Sequence, residues 1–392
     1  MRTMDNLEQR VTTSRLRQLY AEQGQSPWLD NISRPLITSG DLDRLIDRGI
    51  RGITANPAIF EKAVTGSNAY DATLGELVDA GRSAFEIYEA LVVEDTRMAA
   101  DVFRPLYEQS GGIDGLVSIE VNPKLAGDTV GTIEEARRLH RAVGRPNIFV
   151  KVPATEAGIP AIRRLLADGI NINITLIFAV DIYDRVVDAY LEALEQRVRQ
   201  GLPVDRLNSV ASFFVSRVDT AVDARLEQLI GAEGDAGRRK ELEELLGTAA
   251  IANARIAYGH FEAAFSGERF ARLRDSGARV QRPLWASTGA KNPAYSDVRY
   301  VDELIGPDTV NTVPDATIEA FEDHGRVART LDADLPGAHA AIARLEATGV
   351  SMPAVTDGLL VDGIQLFSEA FDRLDAAIRA KRDLLIAAGV GR

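Results

Sequence analysis

The feature that most constrains this chain is an alternation: eight short segments of strand character recur between helical patterns. They are 27–32 (PWLDNI), 52–57 (GITANP), 115–121 (GLVSIEV), 147–153 (NIFVKVP), 171–178 (NINITLIF), 209–216 (SVASFFVS), 282–288 (RPLWAST) and 308–314 (DTVNTVP). Several are rich in β-branched and aromatic residues and bounded by Gly, Pro, Asn or Asp, as strands are. Between them, apolar residues at helical spacing run up to a glycine: 39–49, 132–144, 156–169, 181–201 and 295–306. Thr132 and Glu135 read as a capping box opening the second of these. Strand, helix and strand in steady repetition predict a parallel sheet, and eight repeats predict a closed (β/α)8 TIM barrel of the α/β class.

The remaining segments are additions to that barrel. Residues 1–24 read as a polar amphipathic helix ending at Gly24. The crossovers 58–114 and 217–281 are long enough for more than one helix each. Residues 326–392 read as a helical extension, with 363–389 as its last long helix. No low-complexity linker interrupts the chain. One domain over 1–392 is expected, with barrel strands at about 27–314, a helical insertion at about 217–281 and the extension from about 326.

Composition limits the function classes. The 392 residues carry a net charge of −13, which disfavours broad nucleic-acid binding. There is no cysteine, so disulfides and thiolate metal sites are excluded. The scattered histidines His140, His260, His324 and His339 give no metal-ligand pattern. No Gly-rich dinucleotide fingerprint follows the first strand. Neither a signal peptide nor a membrane-spanning run is evident, so the cytoplasm is the expected location. No metal or organic cofactor, nucleic acid or membrane partner is expected. Monomer and homodimer are both open.

Lysine is rare: Lys62, Lys124, Lys151, Lys240, Lys291 and Lys381. Lys151 nevertheless stands inside the apolar run Ile148–Phe149–Val150–Lys151–Val152–Pro153. Strand alternation puts Ile148, Val150 and Val152 on one face, and Phe149 and Lys151 on the other. In a barrel of this kind chemistry sits at the carboxyl ends of the strands. There the chain offers Asp30 and Asn31, Thr54 and Asn56, Glu120 and Asn122, Lys151, Asn173 and Thr175, Ser212 and Arg217, Ser287, Thr288 and Lys291, and Asn311 and Thr312. Each alone has an ordinary structural reading as a turn residue, a helix-start ion pair or a buried hydrogen-bond partner. Together, a lysine, two carboxylates and many hydroxyls and amides at one end of one barrel make a convergent polar site. A lysine amine held neutral in such a pocket can form a Schiff base with a ketone or aldehyde. Two carboxylates in different environments, Asp30 and Glu120, can divide the proton transfers.

The stretches WLDNISR, GITANPAIF, VSIEVNPKLA, IFVKVPATEAGIPAI, GININITLIFA, ASFFVSRVDT, PLWASTGAKNPAYSD and TVNTVPDATIEAF run from about residue 28 to 325, on all eight expected strands. At these residues the chain resembles the transaldolases, in their longer subtype, within the class I Schiff-base aldolases. The resemblance implies a transferase of the non-oxidative pentose phosphate pathway. It would move a dihydroxyacetone unit from sedoheptulose 7-phosphate to glyceraldehyde 3-phosphate. It implies Lys151 as the Schiff-base lysine, Asp30 as the acid/base group for the hydroxyl proton, and Glu120 working through a water that Thr175 orients. Thr54, Asn56, Asn173 and Ser212 would contact substrate, and Arg217, Ser287 and Lys291 would take the phosphate. A lysine at 291, where an arginine is more familiar, offers a point charge instead of a bidentate fork. The alternatives are a fructose 6-phosphate aldolase-like enzyme, whose relatives carry glutamine at the position of Glu120, and a non-catalytic barrel used for binding.

Overall fold

The structure, a computed structural model, describes residues 14–387. Its centre is a closed barrel in which eight strands pair in chain order, β1 to β8, and the last returns to the first. The strands are β1 Gln25–Asp30, β2 Gly52–Thr54, β3 Leu116–Glu120, β4 Ile148–Pro153, β5 Ile172–Ile177, β6 Ser209–Phe214, β7 Arg282–Ala286 and β8 Thr309–Val313. All neighbours run parallel. The (β/α)8 expectation is met. Most strands stop short of the expected ranges at their carboxyl ends: Asn31, Ala55, Asn56, Ser287 and Thr288 leave the ladder to build the mouth.

Three layers fill the barrel from bottom to top. At the amino-terminal end the buried Asp114 receives Ser26 Oγ (2.8 Å), Arg51 Nε (2.7 Å) and Arg282 Nη1 (3.1 Å), which hold its carboxyl below the usual range against burial. Above it lie large rings: Trp28 and Phe149 are 6.0 Å apart, and Phe213 and Trp285 are 6.2 Å apart. Gly52 makes room for this layer, because a Cβ there would lie 2.5 Å from the Trp28 ring. Trp28 and Phe149 sit two residues before Asp30 and Lys151 on the same strand faces, so an aromatic floor supports the polar mouth. Ile148, Val150 and Val152 are fully buried on the outer face. Each buried aliphatic side chain of this sort contributes roughly 1.5–3 kcal/mol.

Several helices differ from the sequence reading, each for a visible reason. The first described helix is Arg15–Gln23, closed by Gly24 at φ 69; the expected residues 1–13 lie outside the described residues. The helix expected from Thr132 starts at Thr129, capped by Asp128. The Thr132–Glu135 capping box is therefore not formed: Thr132 donates to the Leu125 carbonyl, and Glu135 accepts from the Asn122 amide. The helix expected over 295–306 shrinks to one turn, Arg299–Asp302. Tertiary contacts override its pattern, since Tyr295 and Tyr300 reach back to Asp223 (2.6 Å) and Asp219 (2.8 Å) on the helix Ser216–Ala232. Conversely, the last helix runs Met352–Ala387, beginning well before residue 363. Gly358 and Gly363 do not break it. Gly363 lies against the barrel, where a Cβ would come within 3.0 Å of Leu176 Cδ2. This C-terminal helix crosses the carboxyl end of the barrel and packs on the helices Pro57–Thr65 and Ala84–Gln109.

Candidate active site

Register brings the key side chains together. Glu120 pairs laterally with Lys151, Lys151 with Asn173, and Asp30 with Thr54. In a closed barrel such neighbours project to the same side, here the interior. Next to Thr175 the β5–β6 ladder shifts register, and Leu176 takes φ 59. Ser287, just beyond β7, takes φ 57. Left-handed backbone at non-glycine residues is strained. Of the three instances among the described residues, Asp308 (φ 55) precedes β8 at the opposite end and these two lie at the mouth. Ser287 is held there by Ser216, whose amide donates to its carbonyl (3.1 Å) and whose hydroxyl meets its own (3.0 Å).

A cavity of ≈190 Å³ opens at this end, lined among others by Asp30, Thr54, Asn56, Lys151, Thr175 and Ser212 on one side. Arg217, Ser287 and Lys291 form the other. Lys151 is nearly enclosed, with its side chain 7% exposed. Its Nζ lies 3.6 Å from Glu120 Oε2, an ion pair beyond hydrogen-bond length, and donates to the Ala55 carbonyl at 3.4 Å. The head group thus faces acceptors as well as the hydrocarbon that its flanks suggested.

The two carboxylates differ in environment. Burial pushes the Glu120 carboxyl up to about 7, with Lys151 opposing. Asp30 is also pushed up by burial, opposed by Lys151 and by the hydroxyl of Thr54, which donates to it at 2.8 Å. Asp30 keeps some surface open to the cavity while protein atoms surround it on the other sides. Thr54 Oγ1 in turn lies 2.6 Å from Thr312 Oγ1. On the other side of Lys151, Asn173 donates to Ser118 (3.0 Å) and accepts from Ser212 (2.7 Å). Glu120 Oε2 and Thr175 Oγ1 are buried without a hydrogen-bond partner among the described residues, so both stay available to reacting molecules. Behind Glu120 a small pocket of ≈30 Å³, bordered by Asn56, Tyr88, Thr96 and Ser118, has room for about one water. Asn56 also caps the helix Pro57–Thr65, accepting from the Ile59 amide at 3.1 Å.

At the far side, Arg217 lies in the first turn of the helix Ser216–Ala232. Burial lowers its guanidinium from the usual arginine range, and Asp362 on the C-terminal helix opposes this. Lys291 is exposed on the loop after β7. Among the described residues neither makes an ion pair, which leaves two cations for an anionic substrate group. Of the strand-end residues named from the sequence, Glu120 and Asn173 flank Lys151, and Asp30, Thr54, Asn56, Thr175, Ser212, Arg217, Ser287, Lys291 and Thr312 line the cavity with it. Asn31, which donates to Asp315 (2.9 Å), Asn122, which caps Pro123–Leu125, and the hydrogen-bonded pair Thr288 and Asn311 (2.9 Å) do not.

Four lining residues were not among the candidates: Phe214, Ala286, Pro314 and Phe367. Phe214 shares a strand face with Ser212, and that spacing was the available signal. Thr312 stood among the strand-end hydroxyls without a role. Phe367 comes from the C-terminal helix, and no strand pattern marks it. The described residues contain no group of His, Cys, Asp and Glu suited to a metal ion, and no helix long and apolar enough to cross a membrane.

Comparison with known proteins fits this geometry. Residues 27–378 match the family described as Transaldolase/Fructose-6-phosphate aldolase. The chain is 45% identical over 368 residues to Transaldolase 2 of Nostoc sp. (strain PCC 7120), covering 93% of this chain and 97% of that one. It is 46% identical over 365 residues to the transaldolase of Mycobacterium marinum, covering 92% and 96%. To Transaldolase 1 of Streptomyces coelicolor it is 44% identical over 382 residues, covering 97% and 98%.

Proposed function

The chain belongs to the transaldolase/fructose-6-phosphate aldolase family, and from that premise we propose how its barrel mouth performs the transfer. The activity is that of a transaldolase, a transferase working through a Schiff base. The observation that carries the assignment of roles is the Glu120 carboxylate 3.6 Å from the enclosed Lys151 amine, with Asp30 on the same cavity.

Lys151 gives its proton to Glu120, the base within reach, and its free amine adds to the ketose carbonyl. Glu120 returns the proton through a water held by Thr175, and the carbinolamine loses water to leave an iminium. Asp30 then takes the proton of the hydroxyl on the departing carbon. The C–C bond breaks toward the iminium, the aldose leaves, and a three-carbon enamine remains on Lys151. An incoming aldose is attacked by the enamine carbon, and Asp30 supplies the proton to the new hydroxyl. Hydrolysis of the Schiff base frees the product ketose.

Ser212 and Asn173 hold sugar hydroxyls or the intermediate, Asn56 and Thr54 border the three-carbon unit, and Arg217, Ser287 and Lys291 take the phosphate. The donor is sedoheptulose 7-phosphate and the acceptor glyceraldehyde 3-phosphate, in the cytoplasm, giving erythrose 4-phosphate and fructose 6-phosphate. Borohydride reduction in the presence of fructose 6-phosphate is the test. A stable adduct on Lys151 is expected, with none in Lys151→Met; labelling of another residue would overturn the assignment.

A further inference from the structure

The catalytic cavity has one wall that the barrel does not supply. Phe367, on the C-terminal helix, places its ring 5.7 Å from Lys151 Nζ and is itself buried. Its position is fixed from both sides. One turn earlier on the same face, Gly363 lets the helix settle against Leu176, the residue that follows Thr175. One turn later, Phe371 packs edge-on against Tyr88 at 5.2 Å, and Tyr88 against Phe60 at 6.3 Å. Along the outer face, Lys124 pairs with Asp372, Arg373 with Glu61 (3.1 Å) and Lys381 with Asp71 (2.7 Å). A helix anchored at so many points holds its aromatic side chain over the reactive amine as a fixed cover.

The enamine on Lys151 has two fates. In transfer, its nucleophilic carbon forms a C–C bond to an aldehyde, and Asp30 protonates the new alkoxide. In release, the same carbon takes a proton from water to give an iminium. The remaining hydroxide adds to that iminium carbon and the C–N bond breaks. The amine and free dihydroxyacetone result, with one water consumed. The second route needs water at the enamine face, and a fixed hydrocarbon surface there opposes it.

We propose that Phe367 is a specificity-determining residue: its ring covers the enamine on Lys151 and so keeps the three-carbon unit for an aldose instead of water. This rests on the Schiff-base reading above. The test compares wild type, Phe367→Ala and Phe367→Leu. Each is given fructose 6-phosphate alone, with free dihydroxyacetone measured. Each is also given fructose 6-phosphate with erythrose 4-phosphate, with sedoheptulose 7-phosphate measured. In F367A the ratio of release to transfer is expected to rise about tenfold, and in F367L by less, because part of the apolar cover remains. An unchanged ratio in F367A whose thermal midpoint matches wild type overturns the proposal. Should F367A fail to fold, F367L decides in the same way: a raised ratio supports the role and an unchanged one overturns it. Borohydride labelling of Lys151 should persist in every folded variant. Its absence in wild type would count against the Schiff base itself, a separate outcome.

Discussion

Lys151 and Glu120 show what a single residue reveals and what it conceals. Lys151 was legible because a charge inside an apolar strand demands an explanation. Its partner was legible as a type but not as a distance, since register across two strands sets the 3.6 Å separation. The pairing gives a pH prediction. Glu120 is raised from 4.5 to about 7, and the proposed base form is the ionised one, so kcat/KM should fall as pH drops below about 7. In Glu120→Gln that acid limb should vanish along with most of the activity; a limb that persists would assign it to another group. The same shift bears on stability with the opposite sense. The fold favours the protonated carboxyl, so this contribution is full below pH 4.5 and lost as pH rises toward about 7. The loss is ~3 kcal/mol from a shift of this size. Denaturant titrations at pH 5 and 8 should show that loss in wild type and its absence in E120Q.

At the scale of elements, the strands were easier to read than the segments that hold them in place. Periodicity marked Ser209–Phe214 and Arg282–Ala286, but it could not show that residues 295–306 would give up a helix for two tyrosine anchors. Those anchors matter because the helix they grip carries Arg217. Asp219 accepts the Ala250 amide (2.7 Å) and the Tyr300 hydroxyl, while Asp223 accepts the Gly247 amide (2.9 Å) and the Tyr295 hydroxyl. Burial raises Asp219 to about 6, with both of its hydrogen bonds opposing. Asp219→Ala strands a buried amide and a buried hydroxyl, and should cost about 2–4 kcal/mol in equilibrium unfolding. Tyr300→Phe removes one donor and should cost about 1–3 kcal/mol, because the carboxylate is left short of a partner. Phe367 was illegible for a related reason: the amphipathic pattern showed a long helix without showing which structure its apolar face would meet.

Across the whole molecule, the net charge of −13 would repel sugar phosphates, yet Arg217 and Lys291 face the cavity without ion-pair partners among the described residues. Screening in physiological salt reaches within about 8 Å, so distant carboxylates fade while cations in contact with substrate still act. Raising salt from about 0.05 to 0.3 M should therefore lower kcat/KM by roughly two- to fivefold, mostly through KM. Arg217→Ala should flatten that dependence, and a rise in kcat/KM with salt would show that the overall negative field dominates. The seam of the barrel has a further consequence. Asp30 on β1 is linked through Thr54 to Thr312 on β8, so the first and last strands meet at the proposed acid/base group. During synthesis, a chain still lacking β8 holds Lys151 and Glu120 but leaves Asp30 on an open edge, with Thr54 deprived of Thr312 behind it. Ribosome-bound intermediates should therefore be catalytically silent, and turnover should begin only after the final strand emerges and the ring shuts.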